Sequence, residues 1–249
     1  MRFFLDFSYN GQHFHGWQRQ INAISVQQTI EDCISIIQGD KTSISGAGRT
    51  DSGVHAKQMI AHLDLKELKL DIKDLIFKLN LLLPKTINIH NIIPVKEDAH
   101  ARFDAISRTY KYYICDVKNP FYYPYRYYLR EKLNLKKMNI AAKILIGKKN
   151  FKCFCKKSNN IMNYECIVKE AFWKKTKKGA VFTITSNRFL RNMVRSIVGT
   201  LIEIGIEKRS VTDLAEIIKS KNRDNAGYSV PAGGLFLTKI VYPKSIFIK

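Results

Sequence analysis

The segment from Gly46 to His55, Gly-Ala-Gly-Arg-Thr-Asp-Ser-Gly-Val-His, gathers the densest chemistry in the chain. Three glycines surround Arg49 and Asp51, which stand two residues apart. Glycine permits tight backbone conformations and the close approach of a large ligand. A carboxylate held among cations stays ionised, its pKa typically lowered by ~1–3 units. A positioned, ionised aspartate can act as a nucleophile or as a general base. A plain turn with a solvated ion pair would be written in the same letters, and the pattern alone leaves both open. Other loop chemistries are excluded. Gly48 and Gly53 have the gap of a phosphate loop, but Val54 and His55 stand where Lys and Ser/Thr are required. A dinucleotide fingerprint would need glycine at Asp51 and a helix afterwards, whereas the residues that follow read as a strand. No Gly-x-Ser-x-Gly elbow surrounds Ser52, which disfavours a hydrolase.

The elements that must position this loop alternate between strand and helix periods. Phe3, Leu5 and Phe7 alternate as a half-buried strand. Ser25 and Gln28 form a capping box ahead of Val26, Ile30, Ile34 and Ile37, and Gly39 is a stop. A short strand from Ile44 leads into the glycine loop, and Met59 to Leu65 reads as the next. A helix from Asp71 carries Ile72, Leu75, Ile76 and Leu79 and ends before Pro84. Thr86 to Val95 is again a strand. The second half repeats the theme, with a strand over 108–117, an aromatic loop over 119–128 and a helix over 138–146. A hairpin then turns at Lys177-Lys178-Gly179, and helices fit 188–206 and 211–219, the latter boxed by Ser210 and Asp213. A strand from Leu235 to Tyr242 closes the chain. On the helix over 188–206, Arg188, Arg191 and Arg195 share one face opposite Leu190, Met193 and Ile197. That face would offer Arg188 and Arg191 to a substrate, and a merely solvated basic face would look the same. The expected fold is α+β, two α/β halves with mixed, mainly antiparallel sheets around a central basic cleft. Residues 1–104 form the half with the aspartate loop, and residues 105–249 the half with the basic block and the arginine helix.

Charge narrows the partner. The chain has 249 residues, and 42 Lys and Arg against 21 Asp and Glu leave +21, with a pI near 9.8. Such a surplus favours a polyanion over a neutral small substrate. Codon drift toward Lys, Ile and Asn would enrich Glu too, so it does not easily give a two-to-one excess of bases. Residues 130–178 hold fifteen Lys and Arg against three Asp and Glu, more than half the surplus. Phe121, Tyr122, Tyr123, Tyr125, Tyr127 and Tyr128 lie just before this block. The mixture suits gripping phosphates and stacking on exposed bases, although aromatics also tuck long loops onto a protein body. No apolar run approaches the ~18–20 residues of a membrane span. The N-terminus is interrupted by Asp6, so it is no signal peptide. Five cysteines without an export signal read as reduced thiols in a cytoplasmic protein. Cys153-Phe154-Cys155 lacks zinc-knuckle spacing, and His13 with His15 makes no site, so no metal is expected.

The whole chain resembles the tRNA pseudouridine synthase A family of bacteria. Tyr9 to Gln20 with Ser25-Val26-Gln27 match its opening, and Gly48 to His55 its catalytic loop. His100 to Ala105 with Arg108 to Tyr112 match its middle. Phe189 to Arg195 with Ile197 to Gly199 match a later block, and Pro231 to Leu235 the last. Five ordered blocks over nearly the full length are far more specific than any one. The resemblance implies a cofactor-free isomerase whose catalytic aspartate is Asp51, acting at the C1′–C2′ region of a target uridine. Uracil would detach from N1, rotate and reattach through C5. Tyr110 matches the active-site tyrosine that stacks on the base and helps remove the C5 proton, although by periodicity alone it would be a core strand aromatic. Arg195 matches the arginine that pairs with the carboxylate. Arg49 would hold RNA and support an extruded base, since a stacked uridine must be flipped to be reached. The resemblance also implies a homodimer acting on uridines 38, 39 and 40 of the tRNA anticodon stem-loop. Ser52 stands for a common Ala, Thr109 for a common Arg, and Lys149-Asn150-Phe151 for the usual His-Asp-Phe. A non-catalytic RNA-binding protein on the same scaffold is the competing reading, and the intact Arg49, Asp51, Tyr110 and Arg195 set argues against it.

Overall fold

Alternating apolar residues make the first strand, β1 (Arg2–Tyr9), which buries Phe3, Leu5, Phe7 and Tyr9. In a computed structural model, which describes residues 1–156 and 162–248, the chain forms two compact units. One unit is Met1–Ile106 with Leu237–Lys249, and the other is Ser107–Phe236. In the first, α1 (Val26–Gln38) starts at Ser25, whose Oγ accepts from Gln28 N–H at 3.2 Å. It stops at Gly39, whose φ of 74° places it in the left-handed region. β2 (Ile44–Gly46) leads through the glycine loop into β3 (His55–Asp64). α2 (Ile72–Leu82) is capped by Asp71 and packs on β4 (Ile87–Val95). β1 pairs antiparallel with β3 and with β4, and β2 pairs antiparallel with β3. Leu75 and Leu79 of α2 are fully buried, each stabilising the unit by roughly 1.5–3 kcal/mol.

On β3, His62 accepts from Ala101 N–H at Nδ1 (3.1 Å), and its ring lies 4.5 Å from that of His100. Burial, then the neighbouring His100 and Arg2 charges, push its pKa down from 6.5 to about 4. The unfolded chain protonates its histidine near 6.5, so between that pH and 4 it binds more protons than the folded chain. Stability therefore falls as pH falls through this window. We expect a loss of about 1–2 kcal/mol between pH 7 and 4.5 after allowing for solvent screening. Urea midpoints read it directly. His62→Asn keeps an acceptor for Ala101 and should flatten the profile, and an equally steep one would refute the assignment.

The second unit is built on β5 (Ser107–Cys115), with β6 (Tyr127–Tyr128) parallel to it. α3 (Leu135–Ile144) and β7 (Gly147–Asn150) follow, then the hairpin of β8 (Glu165–Thr176) and β9 (Gly179–Ser186). β5, β9, β8 and β7 lie in that order, all neighbours antiparallel. Register puts Tyr110, Ile184 and Ala171 side by side, and Tyr112, Phe182 and Trp173 beside them on the same face. Tyr113, Val181 and Lys174 point the other way, as do Lys111, Thr183 and Phe172. α3 packs on β8 and on α4 (Met193–Gly205), whose Ile197, Val198, Leu201 and Ile202 are buried. α5 (Asp213–Ser220) begins behind the Ser210–Asp213 box, with Ser210 Oγ donating to Asp213 Oδ1 at 2.7 Å. At the hairpin, Gly179 has φ 119°, and a Cβ there would strike the Ile114 carbonyl at 2.3 Å. All five cysteines are buried free thiols, and burial raises Cys153 to about 12 and Cys166 to about 11. They fill the core rather than react. Lys157, within the basic block, lies outside the described residues.

Two features differ from the sequence reading. The helix expected from Arg188 begins only at Met193. Asn192 sits at φ 65° with its side-chain amide donating to Ser229 Oγ at 2.6 Å, and Lys156 N–H donates to the Arg191 carbonyl. Residues 188–192 are thus held in a turn, and Arg188 and Arg191 do not share a helical face with Arg195. The second feature is the end of the chain. After β10 (Leu235–Val241) starts in the second unit, residues from Leu237 onward lie with the first. Ile240 N–H donates to Gln58 Oε1, Ile106 N–H to the Val241 carbonyl, and the Tyr242 hydroxyl to the Ala101 carbonyl. The Tyr242 ring meets Phe4 edge-on at 5.0 Å.

Candidate active site

The glycine loop is held by the Tyr9–Trp17 stretch of its own unit. Tyr9 Oη and Thr50 Oγ1 share a buried 2.8 Å hydrogen bond, and Trp17 N–H donates to the Thr50 carbonyl at 3.2 Å. Gly53 N–H and Ser52 Oγ both donate to the Phe14 carbonyl. Gly11 N–H donates to Nδ1 of the buried His55 at 3.0 Å. Trp17 lies beneath Gly46, where a Cβ would sit 2.6 Å from the indole, and stacks on Phe7 with centroids 5.7 Å apart. Gly16, at φ +89°, lets the Thr50 carbonyl approach to where a Cβ would meet it at 2.6 Å.

Within this support Asp51 opens a tight turn. Val54 N–H donates to its carbonyl at 3.1 Å, and Gly53 supplies φ 77° at the third position, the type II requirement. Thr50 and Val54 are buried on either side, while Asp51 is half-buried and Arg49 exposed. Among the described residues nothing lies within 4 Å of where a Cβ on Gly48 would be, which leaves room for a ligand on that side of the loop. The arrangement presents one carboxylate on a backbone pinned at both ends, as a nucleophile or general base requires. Ser52, the departure from Ala, adds a hydrogen bond without altering the turn.

In the second unit, Tyr110 lies on β5 opposite Ile184 and meets Phe189 edge-on, with centroids 5.1 Å apart at 85°. It is almost fully buried. Tyr112 donates its hydroxyl to the Pro231 carbonyl at 2.9 Å, and burial, then Tyr127, raise that hydroxyl's pKa. Arg195, half-buried in the first turn of α4, donates from Nε to the Val230 carbonyl at 2.7 Å, and Val230 N–H returns a bond to the Arg195 carbonyl. Gly199 allows the close approach of this stretch, since a Cβ there would overlap the Tyr228 carbonyl at 1.9 Å. Arg188 is half-buried and Arg191 exposed, both in the turn before α4. Their charges lower the thiol pKa of Cys155 against the larger effect of its burial. Phe189 brings this turn to Tyr110. No local signal marks Phe189 as the partner of Tyr110, or the block from Tyr9 to Gln20 as the support of the aspartate loop, because both roles rest on contacts between residues far apart in the chain.

Among the described residues, no three His, Cys, Asp or Glu side chains gather as a metal would need, and no helix is long and apolar enough to cross a membrane.

A family model described as tRNA pseudouridine synthase matches residues 7–104 and 141–243. The tRNA pseudouridine synthase A of Azobacteroides pseudotrichonymphae is 50% identical over 99% of this chain and 98% of its own length. That of Bacteroides fragilis is 46% identical over the same shares. A Staphylococcus aureus protein of the same name is 34% identical over 100% of this chain and 95% of its own. The matched segments contain the pinned aspartate loop, the 188–192 turn, Arg195 and the Val230 stretch, and the chain belongs to the tRNA pseudouridine synthase family.

Proposed function

We propose that the protein isomerises uridine to pseudouridine at positions 38, 39 and 40 of the tRNA anticodon stem-loop, with Asp51 as the catalytic carboxylate. The three positions come from the family resemblance, and one observation supports Asp51 as the carboxylate. Asp51 is half-buried at the head of a turn whose neighbours on both sides are buried and hydrogen-bonded, beside open space at Gly48. In this reading Asp51 works at the C1′–C2′ region, as nucleophile at C1′ or base at C2′. The C1′–N1 bond breaks, uracil rotates and C5 bonds to C1′; the proton that leaves C5 is balanced by one taken up at N1, and a proton removed from C2′ by Asp51 acting as base is returned there. Nothing is oxidised, reduced or transferred to a second substrate, so the reaction calls for no cofactor. Tyr110, Arg195 and Arg49 take the roles that the resemblance implies, and the turn with half-buried Arg188 and exposed Arg191 contacts RNA. A cytoplasmic homodimer fits the same reading, and the five buried free thiols agree with a reducing compartment. Mapping pseudouridines in tRNA from cells with and without the protein tests it. Unchanged maps would refute it.

The basic block supports the choice of a polyanionic substrate. Lys148, Lys152, Lys169, Lys174 and Lys175 are exposed, and Lys149 is half-buried. Exchanging four of them for Gln should weaken tRNA binding and lower the slope of log K against log salt by up to about 3. A filter-binding series between 50 and 200 mM salt measures this. An unchanged slope would place the block away from RNA.

A further inference from the structure

The family model leaves residues 105–140 unmatched, and the aromatic loop over 119–128 falls inside that gap. Its backbone is well anchored. Leu129 N–H donates to the Cys115 carbonyl, β6 pairs with β5, and Tyr122 N–H donates to the Asn119 carbonyl. Gly233 gives the Pro124 carbonyl a place that any Cβ would occupy, at 2.4 Å. Yet this anchored loop leaves Phe121 87% and Tyr123 75% exposed. Within it the Arg126 guanidinium is shared by two rings, 5.2 Å from the Tyr113 centroid and 5.5 Å from that of Tyr122. Lys178, from the β8–β9 turn, brings its ammonium to 5.2 Å from Tyr122. Neither cation has a carboxylate partner among the described residues.

The ring faces attract these cations without neutralising them. In the free protein water and mobile ions balance these charges, and a ligand phosphate could displace those ions while its bases meet Phe121 and Tyr123. A nucleotide joins an anionic phosphate to a flat base in every repeat, and the tRNA substrate of the family supplies such repeats. Tyr113 is three residues along β5 from Tyr110, about 10 Å at strand spacing, and on the opposite face. We propose that Tyr113, Phe121, Tyr122, Tyr123, Arg126 and Lys178 form an accessory platform for an unpaired nucleotide of the tRNA, separate from the reacting uridine. Arg126 and Lys178 hold its phosphate, and Phe121 and Tyr123 stack on bases. The platform rests on the tRNA substrate reading above.

The test uses the full chain and an unmodified tRNA transcript, with a fully paired RNA duplex as the second probe. Stacking on an aromatic ring changes single-strand affinity by roughly 5- to 150-fold per base. Phe121→Ala with Tyr123→Ala should therefore weaken tRNA binding at least about tenfold. It should raise KM by a similar factor, leave kcat and the salt slope unchanged, and hardly affect the duplex. Arg126→Gln with Lys178→Gln should lower the salt slope by about 1–2. Both replaced rings are exposed, so the thermal midpoint should not move. Parental tRNA affinity in the double alanine variant, or an equal loss on the duplex, overturns the platform. Absence of pseudouridine with the parent protein would instead overturn the enzymatic reading, and the binding comparison would still decide the platform.

Discussion

Asp51→Asn is expected to lower pseudouridine formation by about 10³-fold or more, while tRNA affinity stays within about tenfold. The amide is nearly isosteric with the carboxylate but can neither attack a carbon nor take up a proton at neutral pH. The loop should survive the exchange, because the hydrogen bonds of the Asp51 carbonyl, Thr50, Ser52 and Gly53 stay in place. Affinity should survive because the phosphate backbone dominates tRNA binding and the charges that meet it lie elsewhere. Single-turnover release of tritium from C5-labelled tRNA separates the two quantities. Measurable turnover by the variant near the parental rate would remove Asp51 from the chemistry.

The second large effect is expected at Gly11. A Cβ there would lie 2.0 Å from the Val54 carbonyl oxygen and 2.7 Å from its carbon, both backbone atoms that no rotamer change can move. Gly11→Ala must push the 3-10 turn at Gly11–His13 away from the loop, and with it the bond from Gly11 N–H to His55. We expect a loss of about 3 kcal/mol, equivalent to roughly 6–12 °C in the thermal midpoint for a chain of this size. Val54 is bonded to Asp51, so the displacement reaches the carboxylate. A misplacement near 1 Å costs on the order of 10²-fold in rate. Melting curves and kcat at a temperature where the variant is fully folded check both halves. Parental stability would show that the 3-10 turn and the loop move apart freely. Parental kcat in a destabilised variant would show that the loop's position does not depend on this contact.

These two substitutions mark different depths of legibility. Asp51 could be picked from its neighbours, because chemistry needs particular residue types at short spacing and the glycines around it are a local signal. The importance of Gly11 could not, because it lies in a contact between residues more than forty positions apart. The block from Tyr9 to Gln20 was visible as a resemblance, while its work of holding the loop through Tyr9, Gly11, Phe14, Gly16 and Trp17 depends on long-range hydrogen bonds and close backbone approach. Likewise Phe189 looked like one apolar residue in a helix until the turn at Asn192 placed its ring against Tyr110.

What the sequence determined by itself is what local physics controls: capping at Ser25, Gly39 and Asp71, strand alternation in β1 and β5, the turn at Gly179, the charge surplus, and a carboxylate set among glycines. The α/β character of both units follows from those local rules. Tertiary structure decided the rest. It moved the start of α4 to Met193, because an Asn192–Ser229 hydrogen bond and a Lys156–Arg191 bond outweigh a continuous helical pattern. It returned the chain from Leu237 onward to the first unit, because the partners of Ile240 and Tyr242 are Gln58, Ala101 and Phe4. Periodicity records which side of an element is apolar, but not which distant surface it will meet.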